Sequence, residues 1–129
     1  MDNLVQFLRA RLDEDEQAAR AAMWDEQSDV WTARPPQARY ERYIVADYCD
    51  DGVVAVAPEN ADPDGVGRHI ARHDPARALR NVDAARKRLV ELSDAIEAGR
   101  DSYDLAATLL PYELLPYADH PDYRDDWRP

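Results

Sequence analysis

The sequence predicts an α+β fold, and three observations carry that prediction. Apolar residues recur at helical spacing near the N-terminus and again after residue 75. Two runs rich in Tyr, Ile and Val flank an Asp51-Gly52 dipeptide, which is the composition of an antiparallel β-hairpin. His73-Asp74-Pro75 then divides a short helical run from a long one. With 129 residues and 45% hydrophobic content, the chain is expected to form one domain over 1–129.

The first helix is expected from Leu4 to Met23. Asn3 is placed to cap it, with Gln6 in the capping-box position. Leu4, Val5, Leu8, Leu12, Ala19 and Met23 supply its apolar stripe. The pairs Arg9–Asp13, Arg11–Asp15 and Glu16–Arg20 sit four residues apart on the solvated side. Residues 24–38 read as irregular, because Pro35-Pro36 interrupts any helix or central strand. Strands are expected at 39–48 and 53–57, joined by a tight turn at Asp51-Gly52. Two strands alone are marginal, so a covering helix, a third strand near Trp31 or a partner chain must complete the sheet.

The segment "PENADPDG" reads as a loop, followed by a short helix from Val66 to Arg72. Pro75 has no N–H to donate and ends that helix, while Asp74 as N-cap and Pro75 at the first helical position start the next. The long helix runs from Pro75 to Ala98 and stops at Gly99. Leu79, Val82, Leu89, Leu92 and Ile96 form its buried stripe, with Asp83, Lys87 and Glu91 on the wet side. A short helix is expected from Ser102 to Leu110. The tail 111–129 reads as irregular and aromatic, docking through Tyr117, Tyr123 or Trp127. Trp24, Trp31, Tyr40, Tyr43 and Tyr48 are expected to fill the gap between helices and hairpin.

Charge narrows the function. Twenty-seven acidic against sixteen basic residues leave a net −11, which opposes direct binding to nucleic-acid phosphates or an anionic membrane. The same charge suits a basic partner, divalent cations or imitation of DNA. No apolar run is long enough to span a bilayer, and "MDNLVQFLRARLDEDE" lacks the basic-then-apolar order of a secretory signal. Cys49 is the single cysteine, which excludes an intrachain disulfide and a cysteine zinc cluster. A cytoplasmic location is the expectation.

The residues that point to chemistry are histidines. His69 and His73 stand four apart and share one face of a helix, so their imidazoles can converge on an ion. His120, between Asp119 and Asp122, supplies a third ligand if the tail folds back. Glu14 or Asp119 would then assist, with Glu16 a further candidate, and a bound Zn or Mn would acidify water for hydrolysis. The plainer reading makes His73 a helix-end residue facing unsatisfied carbonyls and His69 its neighbour one turn earlier. Ile70 follows His69, so the HExxH metalloprotease pattern is absent. An HD-type phosphohydrolase is rejected, because Pro75 follows the His73-Asp74 dipeptide in a short chain that carries a hairpin. No Gly-rich phosphate loop or nucleophile elbow is present. Asp50 and Asp51 beside Cys49 work against a reactive thiolate.

The segments "LVQFLRARLDEDEQAA", the Asp-Asp-Gly hairpin, "HIARHDPARAL" and "LPYADHPDYRDDWRP" carry a resemblance. In that order they resemble small acidic proteins of actinobacteria and their phages, classified as a domain of unknown function. The resemblance covers most of the chain and implies an actinobacterial or phage cytosol with no assigned activity. All three histidines fall in its two C-terminal motifs.

The combined expectation is a non-enzymatic cytosolic accessory protein that has no resident cofactor and binds another macromolecule. A protein partner is favoured, and an uncovered hairpin edge is compatible with a homodimer. The alternative is a metal-dependent hydrolase using His69, His73 and His120. A second alternative is an acidic DNA mimic built on "LDEDE", "DD" and "RDDW", although Arg9, Arg11, Arg20, Arg86, Lys87 and Arg88 interrupt the negative surface.

Overall fold

The computed structural model describes residues 1–129 and is α+β, with four α-helices and a three-stranded antiparallel sheet. Helix α1 spans Asp2–Ala21. The N–H groups of Leu4 and Val5 donate to the Met1 carbonyl at 3.1 Å each, so Asn3 lies inside the helix and the capping box with Gln6 does not form. Asp2 in the first turn faces the positive end of the helix dipole.

The stretch expected to be irregular contains strand β1, Thr32–Arg34. It pairs with β2, Ile44–Ala46, which pairs in turn with β3, Gly52–Ala55. The third strand near Trp31 is therefore supplied by the chain itself. Both hairpin strands are shorter than the Tyr- and Val-rich runs implied. The turn also differs: Asp50, not Gly52, takes the left-handed φ of 60°, and the N–H of Asp47 donates to the Asp51 carbonyl at 3.1 Å. Gly52 already pairs with Ala46, and the register shift beyond Val45 leaves Val53 as the extra residue of a bulge.

Helix α2 spans Pro63–Arg72, three residues longer at its start than the sequence implied. Asp62 caps it, its Oδ2 accepting from the Gly65 N–H at 3.0 Å, and Pro63 occupies the first turn. Helix α3 runs Pro75–Ala98 as expected. Asp74 Oδ1 accepts from the Arg77 N–H at 2.9 Å. Gly99 then adopts a φ of 73°, a conformation that favours glycine, and leads into helix α4, Arg100–Leu114. Helix α4 is longer than the short helix expected and contains Pro111, so the irregular tail begins later than residue 111. Two 3₁₀ turns, Leu115–Tyr117 and Asp125–Trp127, order the C-terminal segment beyond it. No helix is long and apolar enough to cross a membrane.

The chain forms two compact units. One comprises Met1–Glu16 and Asn81–Pro129, the other Gln17–Arg80. In the first, Leu8, Leu12, Val82, Leu89, Leu110 and Leu114 form the core, with Leu110 and Leu114 fully buried. Burying each such leucine contributes about 1.5–3 kcal/mol. Phe7 and Trp127 extend this core toward the tail, and Tyr117 and Tyr123 pack against it. In the second unit, α2 lies against β1 and β2, and Val45 and Ala46 are buried. The expectation that five aromatics plug this unit holds only in part. Trp24, Tyr40 and Tyr48 are exposed, and Trp24 stacks on Tyr48 at the surface with ring centroids 5.7 Å apart.

Candidate functional site

The His-Asp-Pro corner is built by one carboxylate. Asp74 is buried and holds both the first turn of α3, through Arg77, and the residue that leads into β1, through the Trp31 N–H at 3.1 Å. The Asp29 carbonyl accepts from Ala76 at 2.9 Å, so a further N–H at the start of α3 is satisfied. One residue earlier, His73 closes α2, its N–H donating to Ile70 at 3.1 Å. Helical spacing puts His69 beside it: the two ring centroids are 4.5 Å apart with the planes inclined by 52°. Both side chains are exposed. No carboxylate or thiol joins this pair as a third ligand.

His120 lies in the other unit, in the turn after the first 3₁₀ segment. Arg11 Nη1 contacts its Nδ1 at 3.0 Å, and the N–H of Asp122 donates to the same nitrogen at 3.0 Å. Arginine is always a donor, so Nδ1 is the acceptor and the proton of the neutral ring resides on Nε2. Held this way, the ring has no free lone pair for an ion. Its edge meets Phe7, with centroids 5.5 Å apart, and Phe7 also packs against Tyr123 and Trp127.

Glu14 joins this group, accepting from Arg11 Nη2 at 2.9 Å. The buried Arg11 thus links Glu14 and His120 while its guanidinium stacks over Phe7 at 4.9 Å. Asp119 is exposed beside them. The local chemistry is that of a clamp: a cation, a neutral imidazole acceptor and an aromatic cluster fix the C-terminal segment onto α1. The apolar stripe read from the sequence leaves out Phe7 and puts Arg11 on the solvated side, whereas both lie at the flank of that stripe and Phe7 joins the same core as Leu8 and Leu12.

Several other acidic residues pair with arginines or a tyrosine of their own unit. Arg86 binds Asp13 at 2.7 Å and Glu16 at 3.0 Å, and Tyr117 Oη donates to Asp15 at 2.6 Å. Asp13 and Asp15 therefore face Arg86 and Tyr117 rather than Arg9 and Arg11. Burial and then the Asp15 hydrogen bond raise the Tyr117 phenol above its ordinary range. Arg88 grips Glu113, Arg34 meets Asp50, and Arg124 and Arg128 pair with Asp126 and Asp125. In the hairpin loop, Asp47, Cys49 and Asp51 each offer a ligand atom within 4.8 Å of the others, a grouping the sequence reading did not single out. Both Asp47 oxygens are already engaged, by Trp24 Nε1 at 2.6 Å and by the Cys49 N–H at 3.0 Å. A cleft of about 700 Å³ between β1 and residues 37–42 has Arg34 and Asp50, which pair with each other, among its lining residues.

One surface stands apart. Leu105, Leu109 and Tyr112, at i, i+4 and i+7 on α4, are 62%, 43% and 58% exposed, while Ala106, Leu110 and Leu114 fill its opposite face. The helix therefore carries two apolar faces, and its own core uses one.

These features define an α+β protein whose sequence motifs serve two purposes, a capped histidine corner and an aromatic clamp on the tail. Over residues 1–129 the chain matches the family described as "Family of unknown function (DUF6221)", and it belongs to that family. No curated protein and no solved structure matches the chain.

Proposed function

We propose that this protein, encoded by an actinobacterium or its phage, is a non-enzymatic accessory protein that binds another protein in the bacterial cytosol through the outer face of α4. The observation that carries the reading is the unpartnered stripe of Leu105, Leu109 and Tyr112. Three large apolar side chains in helical register are what an amphipathic helix presents to a groove or to another helix. Asp101 lies on the same side by spacing, and the chain's net charge is −11, so the complementary partner is basic.

The test is a Leu105→Glu/Tyr112→Glu variant. Both side chains are exposed, so its thermal stability should match the wild type. The immobilised wild-type chain should capture a basic protein from native cytosol that this variant does not, and failure of the wild-type chain to capture one would equally refute the reading. A variant that retains the same partner would refute the reading.

A further inference from the structure

We propose that His69 and His73 form a bidentate chelate for a late first-row divalent ion, with nickel, copper and zinc as the class. This inference is independent of the α4 reading and does not use His120. Three observations support it.

The first is distance. Two imidazoles bound cis to one ion, with metal–nitrogen bonds of about 2.1 Å, set their ring centroids about 4.5–5 Å apart. The separation of His69 and His73 is 4.5 Å. Their rings are tilted by 52° rather than laid flat on each other, so the proximity is not that of a stacked pair.

The second is rigidity. His69 sits in the last turn of α2 and His73 is its C-cap, fixed by its own backbone bond to Ile70. Asp74 immediately follows, buried and hydrogen-bonded to two elements. The backbone that presents the imidazoles is therefore held before an ion arrives, which lowers the ordering cost of chelation.

The third is the donor set. Two neutral nitrogens with no carboxylate or thiol beside them suit borderline ions and not magnesium or calcium, which require oxygen ligands. Arg68, one residue before His69, has its charge matched by Asp64 at 3.0 Å. The exposed side of the pair leaves the remaining coordination positions to water. Occupancy would tie the final turn of α2 together and stabilise that turn by mass action.

The experiment uses the full chain without a histidine tag, stripped with chelator and titrated with Zn²⁺ and separately with Ni²⁺ by calorimetry. One ion per chain is expected. Loss of an outer-sphere group alone costs about 10–100-fold in metal affinity, so His69→Ala and His73→Ala should each weaken binding at least about ten-fold. His120→Ala, and a Cys49→Ser/Asp51→Asn double variant, should bind as the wild type does. Circular dichroism confirms that each variant is folded. Proton NMR gives a second readout, in which substoichiometric Ni²⁺ broadens the ring resonances of His69 and His73 and spares those of His120. Absence of uptake by the wild type overturns the proposal, as does undiminished binding in either single variant. Loss of binding in His120→Ala overturns it in favour of the three-histidine site. Loss in the Cys49/Asp51 variant overturns it in favour of the hairpin loop.

Discussion

The backbone N–H of Trp31 donates to Asp74 Oδ2 at 3.1 Å, across 43 residues of sequence, while Oδ1 of the same carboxylate caps α3. One side chain thus sets both the start of a helix and the lead-in to a strand. A buried charged acceptor with two backbone donors is worth more than an ordinary surface cap. Asp74→Ala should therefore destabilise the protein by about 2–3 kcal/mol, from loss of the cap and an orphaned Trp31 N–H. Asp74→Asn, which keeps one acceptor oxygen, should cost less. Urea denaturation of the three chains distinguishes these outcomes.

Gly67 reverses the usual helix rule. In an exposed helix, Gly→Ala stabilises by about 1 kcal/mol. A Cβ at Gly67 would overlap the ring of Tyr43, whose hydroxyl is anchored to Asp64 at 2.6 Å. Gly67→Ala should instead destabilise by about 1–3 kcal/mol. Gly52→Ala, whose Cβ would meet only Ile44 at 3.8 Å, is the comparison and should change stability little. Thermal melts of both variants provide the check.

The aromatic clamp predicts a large effect for a residue close to the C-terminus. Trp127 is 9% exposed and packs on Phe7 with centroids 5.2 Å apart. Trp127→Ala should cost about 3–5 kcal/mol, the range for emptying an aromatic core position. A loss below about 1 kcal/mol, as at an ordinary surface position, would mean that the tail is not part of the core.

Alkaline pH should weaken the fold through Tyr117. Its folded phenol is raised above the ordinary 10.0, first by burial and then by the hydrogen bond to Asp15. A proton held more tightly in the folded state gives stability that is complete below pH 10 and is lost as pH climbs through 10 toward the folded value. The urea midpoint should therefore fall between about pH 9 and about pH 11. Tyr117→Phe should start lower and fall less. Tyr43 and Tyr48, raised by their hydrogen bonds to Asp64 and Asp25, retain part of the slope.

How much the sequence discloses depends on how local each signal is. The long helix from Pro75 to Ala98 is legible because a cap and a proline mark its start and a glycine marks its end, each read from immediate neighbours. Asp62-Pro63 is the same start signal as Asp74-Pro75, yet the residues around it read as loop. Gly65 and Gly67 depress helix propensity there, and the reason for Gly67 is Tyr43, twenty-four positions away in sequence and invisible to a local reading. The turn dipeptide is overridden locally: the bonds from Asp50 N–H to Asp47 and from Asp47 N–H to Asp51 close the turn with the left-handed residue at Asp50. The nearness of His69 and His73 follows from a four-residue spacing at the end of α2, where His73 is the cap. The tautomer of His120 does not, because it depends on Arg11, 109 positions distant.

Strand β3 carries a consequence of a different kind. All four of its residues are solvent-exposed, so hydrogen bonds to β2 hold it and buried side chains do not. Its identity resides in the main chain. Deuterium should therefore enter the amides of Val53 and Val54 long before those of Leu110 and Leu114. Substitution here should be nearly free for any residue that tolerates an extended backbone, which makes β3 the place where a reporter group can be carried without disturbing either core.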